Sequence, residues 1–254
     1  MKSKAAFIAA ASVAVMLVLC VFQYDDASLL ASRIAGKPIV MIDPGHGGID
    51  GGAESRDGTC EKDINLRISV FLKKELEKKG IAAAMTRTED RGLYEREDEG
   101  TIRSLKTVDM RQRRSMIDSS GCDLAVSVHL NSFTQDETVR GAQVFYGGGG
   151  KKAVAGKSRR AAEYLQRALN VGINQGNEKH AMEKNDVLLL RDPVRPTVIV
   201  ECGFLSNPEE AEKLKTRAYQ KEVADILADS ISGYICKKAV KDCKIRDSEK
   251  NTQR

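Results

Sequence analysis

The sequence predicts a single α/β domain: a wound, mostly parallel twisted sheet flanked by helices, following an N-terminal hydrophobic helix. Three observations carry that expectation. Short apolar runs rich in β-branched residues recur at 38–41, 124–129 and 197–200. Between them lie stretches with apolar residues three and four apart, the clearest at 63–79. The chain has 254 residues, enough for one sizeable core. Strand and helix signals in alternation are the signature of a wound α/β sheet.

In chain order, residues 1–24 read as a signal peptide or membrane anchor. Lys2 and Lys4 precede residues 5–22, an uncharged and predominantly apolar run. As a helix that run would extend roughly 27 Å, close to a bilayer core of about 30 Å. The leading lysines favour an inner N-terminus, so the rest of the chain is expected to be exported to the outer side of the cytoplasmic membrane. Residues 25–37 read as a linker, and 38–235 as the folded domain. Within it, 38–41 is a buried strand. Residues 63–79 form a helix, with Ile64, Ile68, Phe71, Leu72 and Leu76 on one face and Gly80 as its stop signal. Residues 81–86 are the next strand. Residues 90–109 are charged and weakly patterned, and read as a loop; 110–119 is a helix. Residues 124–129 and 141–146 are strands, and a helix follows to about Val171. A short strand is expected at 187–190, the strand 197–200 comes next, and residues 209–234 are helical. Residues 236–254 read as a polar, disordered tail.

Composition excludes some functions. The formal net charge of +5 is a modest excess, and there is no tryptophan and no nucleic-acid-binding motif, so a nucleic-acid partner has no support. None of the six cysteines forms a Cys-x-x-Cys pair. Cys122 and Cys202 read as buried small apolar residues. Cys60 stands next to Glu61, but a thiolate ligand there is not expected.

The chemistry concentrates in three places. His46 sits in Gly45-His46-Gly47-Gly48, a glycine-rich turn just past the first strand. His129 closes the run 124–129, and the run 197–200 delivers Glu201. Two histidines and a glutamate at strand ends are the ingredients of a catalytic zinc site. A charge following three β-branched residues is costly unless it works or is paired, which favours catalysis for Glu201.

Five ordered segments then carry a resemblance: Ile-Asp-Pro-Gly-His-Gly-Gly at 42–48, Glu-Lys-Asp-Ile-Asn-Leu at 61–66, Thr-Arg-Thr-Glu-Asp at 86–90, Ser-Val-His-Leu-Asn at 127–131 and Val-Glu-Cys-Gly-Phe-Leu-Ser-Asn at 200–207. The chain resembles the zinc-dependent N-acetylmuramoyl-L-alanine amidases, the type-3 cell-wall amidases, over residues 38–234. Its short layout is most similar to the germination-specific cortex amidases of endospore formers. The resemblance implies a Zn2+ cofactor held by His46, Glu61 and His129, with Glu201 as the catalytic glutamate. It implies peptidoglycan as substrate, a place in the spore cortex, a step toward muramic δ-lactam, and an activating or localising protein partner. Cys202 and Met110 depart from the residues usual in relatives, and neither removes a catalytic group.

Each candidate has a plainer reading. A carboxylate at the position of Glu61 also favours a helix dipole, and Glu54, Asp57 and Asp63 compete for the ligand role. Asn131 is a candidate substrate contact or a turn-former. Arg87 and Arg113 read as structural ion-pair partners, and His180 as a surface residue. Two other functions stay open on sequence: a zinc peptidase cutting within the stem peptide, and a catalytically silent wall-assembly protein.

Overall fold

The computed structural model describes residues 29–94 and 101–252, with side chains through Cys236. The hydrophobic segment within 1–24 lies outside the described residues. Among those described, no helix is long and apolar enough to cross a membrane. The elements, in order, are β1 (Ile39–Pro44), α1 (Glu61–Lys78), β2 (Ala82–Met85), α2 (Ile102–Ser120), β3 (Leu124–Asn131), β4 (Gln143–Tyr146), α3 (Lys152–Leu169) with a π-helical turn (Asn170–Asn174), β5 (Met182–Glu183), β6 (Thr197–Phe204), α4 (Pro208–Leu214) and α5 (Arg217–Thr252).

The six strands form one sheet in the order β2-β1-β3-β6-β4-β5. Its pairs are parallel except β4 against β6. The expected wound, mostly parallel sheet flanked by helices is therefore what the chain forms.

Side chains alternate across a strand, so each strand serves two faces. Val40 and Ile42 of β1, Leu124, Val126 and Val128 of β3, and Val198, Val200 and Cys202 of β6 join the larger core beneath α1, α3 and α5. The opposite face packs Ile39, Met41 and Ala125 against Ile117 of α2 and Leu189. It also carries Asp43, Ser127, His129 and Glu201.

The structure corrects several expectations. Residues 90–109 are not all loop: α2 begins at Ile102, with Thr101 as its cap accepting from the Ser104 amide. Its first turns are largely exposed, Ile102 among them, and its buried residues are Asp109, Arg113 and Ile117, so no buried apolar stripe marks its start. Residues 187–190 form a turn whose Leu189 and Leu190 are buried. Residues 209–234 divide into two helices at Lys215 and Thr216. The backbone of α5 continues through Thr252, across the expected disordered tail. Beyond Gly233 the chain has neither glycine nor proline to stop a helix. Finally, β3 and β6 run past His129 and Glu201, which lie within their strands rather than at the ends.

One edge of the sheet is finished by side chains. β5 has only two residues, so much of β4 lacks a strand partner on that side. Gln166 Oε1 accepts from the Val144 amide at 2.8 Å, and Asn174 Oδ1 from the Ala142 amide at 2.7 Å. The side-chain amides of both residues donate to the Ala142 carbonyl. These bonds satisfy backbone groups that an open edge would leave unpaired.

Candidate metal and catalytic centre

The centre is built on the turn after β1. His46 adopts φ = 61°, a left-handed conformation unusual for a residue with a side chain. Arg113 holds it there by donating to the His46 carbonyl at 2.6 Å. Gly45 is required by packing: a Cβ on it would fall 2.2 Å from Cε1 of His129. At Gly52, with φ = 74°, a Cβ would lie 2.6 Å from Glu61 Oε2 and 2.8 Å from His46 Cδ2. Both glycines let the backbone close around the two histidines and Glu61.

Glu61 is the first residue of α1 and is only 2% exposed. The glycine-rich loop caps its helix: the Glu61 amide donates to the Ala53 carbonyl at 2.8 Å and the Lys62 amide to that of Gly51 at 3.1 Å. Its carboxylate faces His46 Nε2 at 3.2 Å through Oε2, and His129 Nδ1 at 3.0 Å through Oε1. Oε2 also accepts from the Ala53 amide, and Oε1 from the Leu130 amide and the Asn65 side chain. Burial alone would raise its pKa, but the hydrogen bonds from His129 and His46 outweigh it and hold the carboxyl well below the usual range. The two imidazoles meet edge to face with centroids 4.9 Å apart.

One potential ligand atom from each of His46, Glu61 and His129 lies within 4.8 Å of the others. Two imidazoles and one carboxylate suit zinc, and three protein ligands leave a position open. Glu54, Asp57 and Asp63 are not in the cluster, nor is Cys60, which caps α1 with its backbone.

Asp50 is a contributor that sequence reasoning missed. Its Oδ2 meets His46 Nδ1 at 2.9 Å, fixing the ring so that Nε2 faces Glu61. Its Oδ1 meets Lys106 of α2 at 2.7 Å. A carboxylate that orients a ligating histidine supports both tautomer and basicity. A signal was present, a carboxylate four residues after a histidine inside a glycine loop. Burial disfavours the charged form of His46, yet hydrogen bonds to Asp50 and Glu61 prevail and raise its pKa to about 9.

Beneath the turn lies a buried charge network. Asp43 accepts from Thr86 and Ser127 at 2.6 Å each and from Arg113 at 2.7 Å. Burial opposes its ionisation, but Arg113 and the two hydroxyls keep its pKa below the ordinary value. Arg113 also pairs with Asp109 at 2.6 Å, so its expected structural ion-pair role is present. Arg87 differs from expectation. It donates to the carbonyls of Pro44, Gly45, Lys62 and Glu89 rather than to a carboxylate. Burial, and then the nearby Arg113 charge, lower its pKa to about 10.

Glu201 pairs in register with His129 across β3 and β6. Its Oε2 is buried with no hydrogen-bond partner. Desolvation raises its pKa, and the proximity of His129 works against that rise. A buried carboxylate oxygen that the protein leaves unpartnered is chemically able to accept a proton. Asn131 shares the His129 face at the end of β3, and its side chain accepts from the Ser132 amide at 2.8 Å. That bond is a local turn contact. His180 is exposed and lies apart from the cluster.

Comparisons with known proteins identify the family. The family model described as N-acetylmuramoyl-L-alanine amidase matches residues 40–233. The germination-specific N-acetylmuramoyl-L-alanine amidase of Bacillus subtilis is 35% identical over 228 residues, covering 88% of this chain and 92% of that protein. The amidase AmiA of Escherichia coli is 28% identical, over 80% of this chain and 78% of its own length. Among solved structures, the CwlD amidase of Clostridioides difficile, in complex with the GerS lipoprotein, superposes with a TM-score of 0.74 at 33% identity. That match covers 79% of this chain and 99% of the solved one. The chain belongs to the N-acetylmuramoyl-L-alanine amidase family.

Proposed function

We propose that the protein hydrolyses the amide between N-acetylmuramic acid and L-alanine in peptidoglycan, with zinc held by His46, Glu61 and His129. The observation that carries this reading is the convergence of those three side chains beside the unpartnered Oε2 of Glu201. Zinc, when bound, lowers the pKa of a water and polarises a carbonyl. The remaining work belongs to the chain. Asp50 orients His46, and the Ala53 and Leu130 amides fix Glu61. Glu201 accepts the proton of the attacking water and returns it to the leaving amine of alanine. Desolvation of its carboxyl sharpens its basicity, as suits a proton shuttle in a dry site.

The relatives also support a finer reading of its setting. The germination-specific amidase supports a role tied to germination; a place in spore cortex and a step toward muramic δ-lactam are what the family resemblance implies. The lipoprotein bound to the C. difficile amidase supports an activating or localising protein partner. The apolar run at 5–22 supports export, with the domain on the outer side of the membrane where the wall lies. An export-dependent reporter fused after Arg254 is expected to be active.

Mass spectrometry of products from purified muropeptides tests the reading. Intact stem peptides with a free N-terminal alanine, formed with zinc and not after its removal, are the expected result. Cleavage inside the peptide would favour a peptidase, and no cleavage under any metal condition would favour a silent wall protein.

A further inference from the structure

The face that carries His129 and Glu201 continues onto β4. Across the antiparallel ladder Gln143 pairs with Glu201 and Phe145 with Ile199, so Gln143 and Phe145 lie on the Glu201 face. Lys184 follows β5, and its backbone amide donates to the Tyr146 carbonyl at 2.8 Å, which fixes the residue against β4. Its ammonium stands 5.1 Å from the centroid of the Phe145 ring. It is near enough to Glu201 for its charge to favour the ionised carboxylate.

The other cations around the centre are already engaged. Lys62 is held by Asp90 and the Gly48 carbonyl, and Lys106 by Asp50. Arg113 is held by Asp43 and Asp109, and Arg87 by four carbonyls. The neighbouring Glu183 accepts from the Asn185 side chain at 2.8 Å. Among the described residues, Lys184 makes no ion pair with a carboxylate. It is a half-buried positive charge on an aromatic platform, on the same face as a buried and unpartnered carboxylate oxygen.

The substrate supplies the missing anion. The lactyl carboxyl of N-acetylmuramic acid is consumed in the scissile amide, so the remaining carboxylates lie on the peptide that leaves with alanine. We propose that Lys184, seated on Phe145, binds a carboxylate of that peptide and selects for acidic peptides. This inference rests on the amidase reading above. A charge-assisted hydrogen bond in a half-buried setting is expected to contribute roughly tenfold in selectivity.

The test uses the zinc-loaded full chain and two N-acetylmuramoyl-L-alanyl peptides, identical except that the residue after alanine carries free carboxylates or carboxamides. The readout is the ratio of kcat/KM for the acidic over the neutral substrate, which is insensitive to the fraction of folded enzyme. The wild type is expected to favour the acidic substrate by roughly tenfold, mainly through KM. Lys184→Met is expected to bring the ratio near one, Lys184→Glu to invert it, and Lys184→Arg to keep most of it. A wild-type ratio near one, or an undiminished ratio in Lys184→Met, overturns the proposal. So does an equal loss on both substrates with a displaced acid limb of the pH profile, which would show that Lys184 acts only through Glu201. If the wild type cleaves neither substrate, the amidase reading itself fails.

Discussion

The two faces of the central sheet are made by the same strands and do opposite things. On the face under α1, α3 and α5, alternate residues of β1, β3 and β6 are Val40, Ile42, Leu124, Val126, Val128, Val198 and Val200, all fully buried. On the other face the intervening residues include Asp43, Ser127, His129 and Glu201, with a small apolar patch around Ile117. One face supplies stability through close packing. The other spends part of its area on charged groups held by mutual hydrogen bonds. A one-residue shift in register would exchange the two, so the apolar face also fixes which way His129 and Glu201 point. Glu61 enters from the apolar side, reaching the centre because it begins α1.

This comparison can be broken by mutation. His46→Ala or His129→Ala is expected to abolish activity and metal binding together, with the fold retained. Elemental analysis and circular dichroism check it; full metal occupancy in either variant would remove that residue from the ligand set. Glu201→Gln is expected to slow turnover by roughly 10²–10⁴-fold, since the amide keeps the shape but cannot accept a proton. Near-normal turnover would assign the base to another group.

On the apolar face the expected effect is on stability. Leu72→Ala removes packing from a fully buried position and is expected to cost about 2–5 kcal/mol, with activity per folded molecule preserved. The buried charge network should respond differently from a simple cavity. Arg113→Met leaves Asp43 buried without its cation and is expected to cost roughly 3–5 kcal/mol. It also releases the His46 carbonyl, so metal affinity should fall along with stability. Urea unfolding with parallel zinc titration separates the two effects; an Arg113→Met protein with wild-type stability would contradict the network's role.

A smaller effect concerns pH. The metal-free His46 has a pKa raised from 6.5 to about 9 by Asp50 and Glu61 against the cost of burial. A raised histidine pKa contributes stability that is present in full below 6.5 and is lost as pH rises through about 9. The metal-free protein should therefore lose thermal stability between those values, while the zinc-loaded protein should not. Zinc must displace the His46 proton, so its apparent affinity should rise over the same window. Thermal scans and zinc titrations at stepped pH would show this; a pH-independent affinity would contradict the ion-pair geometry.

Legibility in the sequence followed the same division. β1, β3 and β6 announced themselves because β-branched runs mark strands packed on a large core, and α1 because its apolar spacing is regular. His46, His129 and Glu201 stood out as polar residues at the limits of those runs. The start of α2 did not, because its first turns are largely exposed and the one buried residue among them is Asp109, a carboxylate. The apolar residues at 187–190 misled, since burial beneath α2 looks the same in a turn as in a strand. Asp50 left only a faint signal, a carboxylate four residues after His46, and Lys184 is legible only once folding brings it to Phe145.

The most direct test of the account sets the two glutamates of the centre side by side. Zinc content by elemental analysis of Glu61→Gln and Glu201→Gln, purified and dialysed identically, distinguishes a ligand from a base. The account predicts about one zinc per chain in Glu201→Gln and much less in Glu61→Gln, as three protein ligands hold the ion and Glu201 is not among them. Equal occupancy in the two variants, or loss of zinc from Glu201→Gln alone, would contradict it.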